Sequence, residues 1–262
     1  MTAPILQSTL PFAPWRDPRT ARLPGIIPCP PDGWLLRDDA FAGQMGERDR
    51  LIASATDRVH ALLPEGRAAA EELFDAVLAR LAQDAGYRIA ADHVTRPDGV
   101  AVPLDRGAPL LTLGRLVQED LCLLEARGEE HILTGAVLCF PASWTLAQKI
   151  GRPLTGIHVP VKGYAGDLAR RVQRLFDAIR PEQPLMRYNA LLYADPTLHQ
   201  PRREEEVRTR PPASEKVFLR SERQCLLRLP VTGAVLFSIH TFVVRVADLT
   251  PDQREGLDRL HA

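Results

Sequence analysis

The stretch "KVFLRSERQCLLRLPVTGAVLFSIHTFVVRV", residues 216–246, decides the fold. Its two apolar runs are rich in β-branched and aromatic residues and carry no helical stripe, so each predicts a strand. Side chains alternate across a strand. In the first run Leu219, Ser221, Arg223, Cys225 and Leu227 therefore share one face, and Phe218, Arg220, Glu222, Gln224 and Leu226 share the other. Either face puts charge inside an apolar frame. On a one-sided sheet the first face is the more apolar and draws Arg223 inward, where a guanidinium needs a partner. The alternative is a salt-bridged solvent face. In the second run His240 interrupts an otherwise apolar strand, a position usually filled by a satisfied core or edge histidine.

Working outward, "LMRYNALLY" (185–193) repeats the alternation, with Arg187 and Asn189 on one face and Tyr188 on the other. "DLCLLEA" (120–126) and "HILTGAVLCF" (131–140), joined through "RGEE", predict an antiparallel hairpin. Helices are expected over roughly 39–63 and over 66–86, where Leu73, Phe74, Val77, Leu78 and Leu81 form one stripe and Gly86 is placed to end it. "SWTLAQKIG" (143–151) predicts a short helix capped by Ser143. "AGDLARRVQRLFDAIRP" (165–181) predicts another, with Leu168, Val172, Leu175, Phe176 and Ile179 on one face and Pro181 as its stop. Residues 1–40 are proline-rich and aperiodic, which reads as an extended arm laid over the domain formed by 41–262. The polar segment 194–215 reads as an exposed, partly mobile loop. Helices first, then antiparallel strands with helices inserted, indicate an α+β fold whose curved sheet is covered on one face.

Composition narrows the function classes. Of 262 residues, 45% are hydrophobic and 25% charged, ordinary for a globular chain. Lysine plus arginine equals aspartate plus glutamate at 33 each, so there is no basic surplus for nucleic acid. The four cysteines, Cys29, Cys122, Cys139 and Cys225, show no metal-ligand spacing, and Cys122 and Cys139 fall in strand-like runs as small buried hydrophobes. No signal peptide and no membrane-spanning run is visible, so a cytoplasmic location is expected.

Dinucleotide, Walker, nucleophile-elbow and zinc-protease motifs are all missing from the chain. The position that asks for chemistry is His158, on the short apolar step "IHVPV" (157–161) between two helix-like segments. Either it packs with its nitrogens hydrogen-bonded, or it is a ligand aimed into a cavity. His60, His93, His131, His199 and His261 lack a partner at metal-ligand spacing.

Taken in order, "GWLLRDDAFAGQMGERDRLI" (33–52), "VQEDLCLLE" (117–125), "LCFPASWTLAQKIGRPLTGIHVPV" (138–161), "RYN" (187–189) and "FLRSERQCLLRLPVTGAVLFSIHTFV" (218–243) resemble the haem-dependent oxidative N-demethylase alpha-subunit family. The resemblance covers nearly the whole chain. It implies a PAS-like fold holding one haem b. It also implies oxidation of a small secondary amine, typically dimethylamine, as oxygen is reduced, the iminium hydrolysing to formaldehyde and a primary amine. Electrons would come from NADPH through a partner reductase carrying FMN and a 2Fe-2S cluster, neither of which this chain has motifs to hold.

Carried over residue by residue, the resemblance makes His158 the axial iron ligand, with His240 as the fallback. An imidazole on a rigid turn can present Nε2 to iron while a carbonyl or water holds Nδ1–H. Ile157, Val159 and Val161 would contact the porphyrin. Arg223 is the first candidate for polarising oxygen, and Glu222 for pairing an alkylammonium. Alternation aims those two apart unless a bulge intervenes, so only one is expected to face the haem. Arg220, Arg187 and Tyr164 are candidates for holding the propionates or completing the pocket. Two departures from the family pattern, Ala190 in place of a large aromatic and Lys162 in place of a proline, bear on the substrate more than on haem binding. A PAS-like haem sensor of gas or redox state, or a haem-free interaction protein, are the alternatives.

Overall fold

Residues 216–246 do form two long strands, and their apolar frame is covered on both sides. The computed structural model describes residues 3–21, 24–159, 166–207, 211–257 and 260. The strands are β1 (Ile27–Pro28), β2 (His60–Leu62), β3 (Arg88–Ile89), β4 (His93–Thr95), β5 (Ala101–Pro103), β6 (Asp120–Arg127), β7 (Glu130–Val137), β8 (Leu185–Tyr193), β9 (Phe218–Arg228) and β10 (Val235–Arg245). The helices are α1 (Phe41–Ser54), α2 (Thr56–Val59), α3 (Arg67–Leu81), α4 (Pro109–Gly114), α5 (Leu154–Ile157), α6 (Asp167–Ala178) and α7 (Pro251–Arg254). Among the described residues an antiparallel sheet of seven strands runs in the order β1-β8-β9-β10-β6-β7-β2, beside a smaller β3-β4-β5 sheet. Helices flanking a large antiparallel sheet make this an α+β fold.

β9 lies near the middle of the large sheet, hydrogen-bonded along both edges in unbroken register with β8 and β10. One face of the sheet presents Cys122, Leu124, Leu226 and Val235 to Leu154 of α5 and to Phe176 and Ile179 at the end of α6; we call it the α6 face. The opposite face presents Leu121, Leu123, Cys225 and Leu236 to α1, α3, α4 and to Cys29, Trp34 and Leu35. Further along, Leu219, Phe242 and Val244 meet Leu10 and Trp15. This is the arm face. Two-sided cover corrects the expectation of a sheet covered on one side, and it explains why the first nine residues of β9 are buried whichever way they point.

Local expectations are met unevenly. The β6–β7 hairpin turns at Gly128, whose φ of +59° suits glycine. The α3 stripe is buried at Leu73, Phe74, Val77 and Leu81, yet the helix stops at Leu81, five residues short of Gly86. The helix expected over 39–63 breaks at Ala55 and gives way to β2, whose residues pair with β7. Ser143 caps nothing. It sits at φ +66°, and Thr145 precedes a single 3₁₀ turn over Leu146–Gln148. The segment 194–215 is anchored rather than loose over its first half: Leu198 is buried and Glu204 pairs with Lys149.

Candidate functional site

His158 closes α5 as its C-terminal cap. Pro153 starts this single helical turn, and the His158 amide returns to the Leu154 carbonyl at 3.2 Å. The same carbonyl accepts from the ring at 2.8 Å. A carbonyl can only accept, so the proton is on Nδ1 and the lone pair on Nε2. Burial pushes the His158 pKa down, against the Leu154 hydrogen bond, and the positive charges of Lys149 and Arg187 push it the same way. The ring is therefore a neutral imidazole at neutral pH. Beneath it, Lys149 is almost fully buried, donating to the Ile157 carbonyl and pairing with Glu204, each at 2.5 Å. Arg152 reaches the same carboxylate at 3.3 Å. A buried ammonium needs such a counter-charge, and here it pins the turn that carries the histidine.

Ile157 packs into the cluster of Leu226, Leu185 and Phe176, which puts this turn on the α6 face. Cross-strand pairing fixes what else lies on that face. Arg187 opposes Gln224, Asn189 opposes Glu222 and Leu191 opposes Arg220. The side chains link into a row: Arg187 Nη1 donates to Gln224 Oε1 at 2.7 Å, Gln224 Nε2 donates to Glu222 Oε2 at 3.0 Å, and Arg220 Nε lies 3.6 Å from Glu222 Oε1. Arg220 spends its other two nitrogens on the carbonyls of Leu198 and Phe140, at 2.9 and 2.6 Å. Its Nε has no hydrogen-bond partner although buried.

Among the expected site residues, then, His158, Arg187, Arg220 and Glu222 share one side of the sheet. Arg223 does not join them. With no bulge in β9, alternation carries it to the arm face, where it donates to the Gly33 carbonyl at 2.5 Å and touches Cys29 Sγ and Met186 Sδ at 3.3 Å. Its guanidinium holds the chain around residues 29–33 against β9. His240 also lies on the arm face with both ring nitrogens committed, Nδ1 to Glu119 at 2.8 Å and Nε2 to Asp38 at 3.0 Å. With no nitrogen to spare it cannot serve as the fallback ligand. Tyr164 and Lys162 lie outside the described residues.

Three participants were missed in the sequence: Gln224, Lys149 and His199. Gln224 lies on the strand face that alternation predicts, and nothing local marks it as the link between Arg187 and Glu222. Lys149 meets a glutamate 55 residues away. His199 gives its Nδ1 to the Cys139 carbonyl at 2.8 Å, beside the two carbonyls that hold Arg220, and its buried Nε2 has no partner.

A family model described as haem-dependent oxidative N-demethylase, alpha subunit-like matches residues 25–262. The chain belongs to that family. Haem dependence and an oxidative N-demethylase relationship come with the family, and its description as an alpha subunit implies a multi-subunit complex. Among the described residues no helix is long and apolar enough to cross a membrane.

The residues on the α6 face fit the haem that this family name specifies. The imidazole at His158 is neutral and held in one tautomer by a backbone carbonyl, the arrangement metal-ligating histidines use. Val159, next to it, is 71% exposed, an uncovered apolar surface. α6 buries only Phe176 within its length, leaving Leu168, Val172 and Leu175 half-covered. All nine residues of β8 are half-buried even though the strand is paired. Arg187 supplies a cation of the kind that holds carboxylates. Among the described residues no group of three or more histidine, cysteine, aspartate or glutamate side chains could hold a metal ion.

Proposed function

We propose that this chain is the haem-carrying, oxygen-using subunit of an oxidative N-demethylase that removes a methyl group from a small secondary amine such as dimethylamine. A reductase partner bearing FMN and a 2Fe-2S centre would deliver electrons from NADPH. The observation that carries the reading is His158: a neutral, tautomer-locked imidazole on the same sheet face as the Arg187–Gln224–Glu222 row. The strand order is compatible with the PAS-like reading. The five long strands β6 to β10, taken in chain order as first to fifth, lie 2-1-5-4-3 across the sheet, with α5 and α6 between the second and third.

Bound haem b would supply oxygen activation and a store for electrons. The chain's own residues supply the rest. His158 would offer Nε2 to iron, while Leu154 and the Lys149–Glu204 pair hold the ring's direction. Arg187 would hold a propionate or another carboxylate. Glu222 keeps acceptor capacity beyond its bond from Gln224, since a carboxylate has about four lone-pair sites. It can pair an alkylammonium or take its proton at Oε1. The donor groups on this face are Arg187, the Gln224 amide and Arg220 Nε; Arg223 is not among them.

The test is spectroscopic first. Haem-loaded wild-type protein should show a Soret band, and His158→Ala should shift or lose it while keeping the far-ultraviolet circular dichroism of the wild type. Given reductant, oxygen and dimethylamine, wild-type protein should release formaldehyde and Glu222→Gln should release about 10²–10⁴-fold less, the usual scale for losing one acid–base group. An unchanged Soret band in the His158 variant would overturn the ligand assignment, and no formaldehyde from any methylated amine would overturn the activity.

A further inference from the structure

The arm face holds a second chemical constellation that the proposed oxidase does not use. Cys29, just after β1, and Cys225, in the middle of β9, are 196 residues apart in sequence, and their sulfurs lie 3.9 Å apart. Arg223 Nη2 is 3.3 Å from Cys29 Sγ, and the Met186 thioether is at the same distance from that nitrogen. The Cys29 amide donates to the Pro184 carbonyl at 2.8 Å, so the sulfur is held in place from the backbone. Cys29 also lines a surface hollow of about 370 Å³, walled by Pro28, Pro31, Ile179, Gln183 and Leu185. Cys225 lies deeper, behind it.

We propose that Cys29 and Cys225 form a peroxide-sensitive thiol pair, Cys29 reacting first and Cys225 resolving it to a disulfide. This rests on the arm-face geometry and is independent of haem at His158. The ligand class is a small hydroperoxide, hydrogen peroxide being the simplest.

The chemistry balances within the two sulfurs and the oxidant. The Cys29 thiolate attacks one peroxide oxygen, the O–O bond breaks, hydroxide leaves, and Cys29 becomes a sulfenic acid, oxidised by two electrons. The sulfur of Cys225 then attacks the sulfenic sulfur. An S–S bond forms, the S–O bond breaks, and the oxygen leaves as water with the proton from Cys225. In sum, two thiols and one peroxide give one disulfide and two waters.

The environment supports that order. The hydrogen bond from Cys225 and the charge of Arg223 overcome burial and bring the Cys29 thiol down to about 7. The adjacent thiolate and burial push Cys225 up, so it stays protonated until the sulfenic acid has formed. Cys122 and Cys139 are buried away from any such help, and burial raises both, Cys139 to about 12. Low-pKa, reachable thiols beside a cation are the ones that oxidise.

The test uses the wild-type protein, fully reduced. Titrated with hydrogen peroxide, it should lose two hydrogens from its intact mass. It should yield one cross-linked peptide pair, joining Cys29 to Cys225 and reversible by dithiothreitol, with Cys122 and Cys139 still alkylatable after unfolding. In Cys225→Ser the resolving thiol is gone, and dimedone should trap sulfenic acid on Cys29. Native wild-type protein should also react with iodoacetamide at Cys29 at least about tenfold faster than at Cys122 or Cys139 at neutral pH. Absence of the Cys29–Cys225 link at peroxide levels that oxidise glutathione in the same tube would overturn the proposal. So would labelling of Cys122 as fast as Cys29.

Discussion

Replacing Asp120 with alanine strikes a buried carboxylate that accepts three hydrogen bonds. Asp120 Oδ1 receives Arg48 Nη1 at 2.7 Å and the Cys139 amide at 2.7 Å, and Oδ2 receives the Phe140 amide at 2.9 Å. Arg48 is fully buried, giving its other bonds to the carbonyls of Gly114 and Gln118 and lying 5.3 Å from the Phe140 ring centroid. Asp120→Ala leaves a buried guanidinium without its counter-charge, which costs about 3–5 kcal/mol. Two amides lose their acceptor as well, at about 1–3 kcal/mol each before relaxation. These losses overlap because they share one cavity, so a net destabilisation of at least about 4 kcal/mol is expected. For a protein of this size that lowers Tm by about 10 °C, and total stabilities of about 5–15 kcal/mol leave little beyond it. Urea unfolding of the wild type, Asp120→Ala, Asp120→Asn, Arg48→Met, and Asp120→Asn with Arg48→Met measures the effect. Removing both charges should recover about 1–3 kcal/mol relative to Asp120→Asn alone. A cost under about 1 kcal/mol for Asp120→Ala, or a double variant that loses the plain sum of its parts, would refute the reasoning.

Two further outcomes follow from packing and charge. A Cβ on Gly114 would stand 2.5 Å from Val137 Cγ2 and 3.1 Å from Ile52 Cδ1, so Gly114→Ala should cost about 1–3 kcal/mol in thermal or urea unfolding, with Val137→Ala added to it restoring part of the loss. His240 resists the downward push of burial because Glu119 and Asp38 flank it, and its pKa rises to about 9. A raised folded-state value means that its stabilisation is complete below the unfolded value of about 6.5 and is lost as pH climbs through about 9. Isotope-edited NMR should find this ring still protonated at pH 8, and a midpoint below 7 would contradict the ion-pair geometry.

The sequence carried much of the fold because its strongest patterns are local. Alternation in 218–228 and 235–245 and the apolar stripe of residues 73–81 each appear where expected. What it could not carry is which face of β9 turns toward which layer. A strand roofed on both sides has no solvent face to break the tie, so the preference for Arg223, which rests on a one-sided sheet, does not carry over. The tie is broken by residues far off in sequence, Gly33 for Arg223 and Gln224's contact with Arg187 for Glu222. Ser143 misled for a different reason: its type suits a cap, but its positive φ bends the chain before the 3₁₀ turn begins. Segment 194–215 looked loose because its polarity is real, yet the Leu198 carbonyl is claimed by Arg220 and Glu204 by a buried lysine. The hydrogen bond that holds His158 is local, its anchor Leu154 being only four residues away.

The unbroken register of β9 has a consequence for how this chain can change. Adding or deleting one residue inside Phe218–Arg228 would send Gln224 and Glu222 to the other layer and bring Arg223 and Cys225 in their place. Length variation along this strand should therefore be forbidden, while substitutions that respect parity remain open. The turn that follows is another matter. Val231 stands 85% exposed and Gly233 holds φ +72°, so extra residues there would extend into water and keep the strand's parity, at the cost of the exposed bonds from Val231 and Thr232 to Glu72.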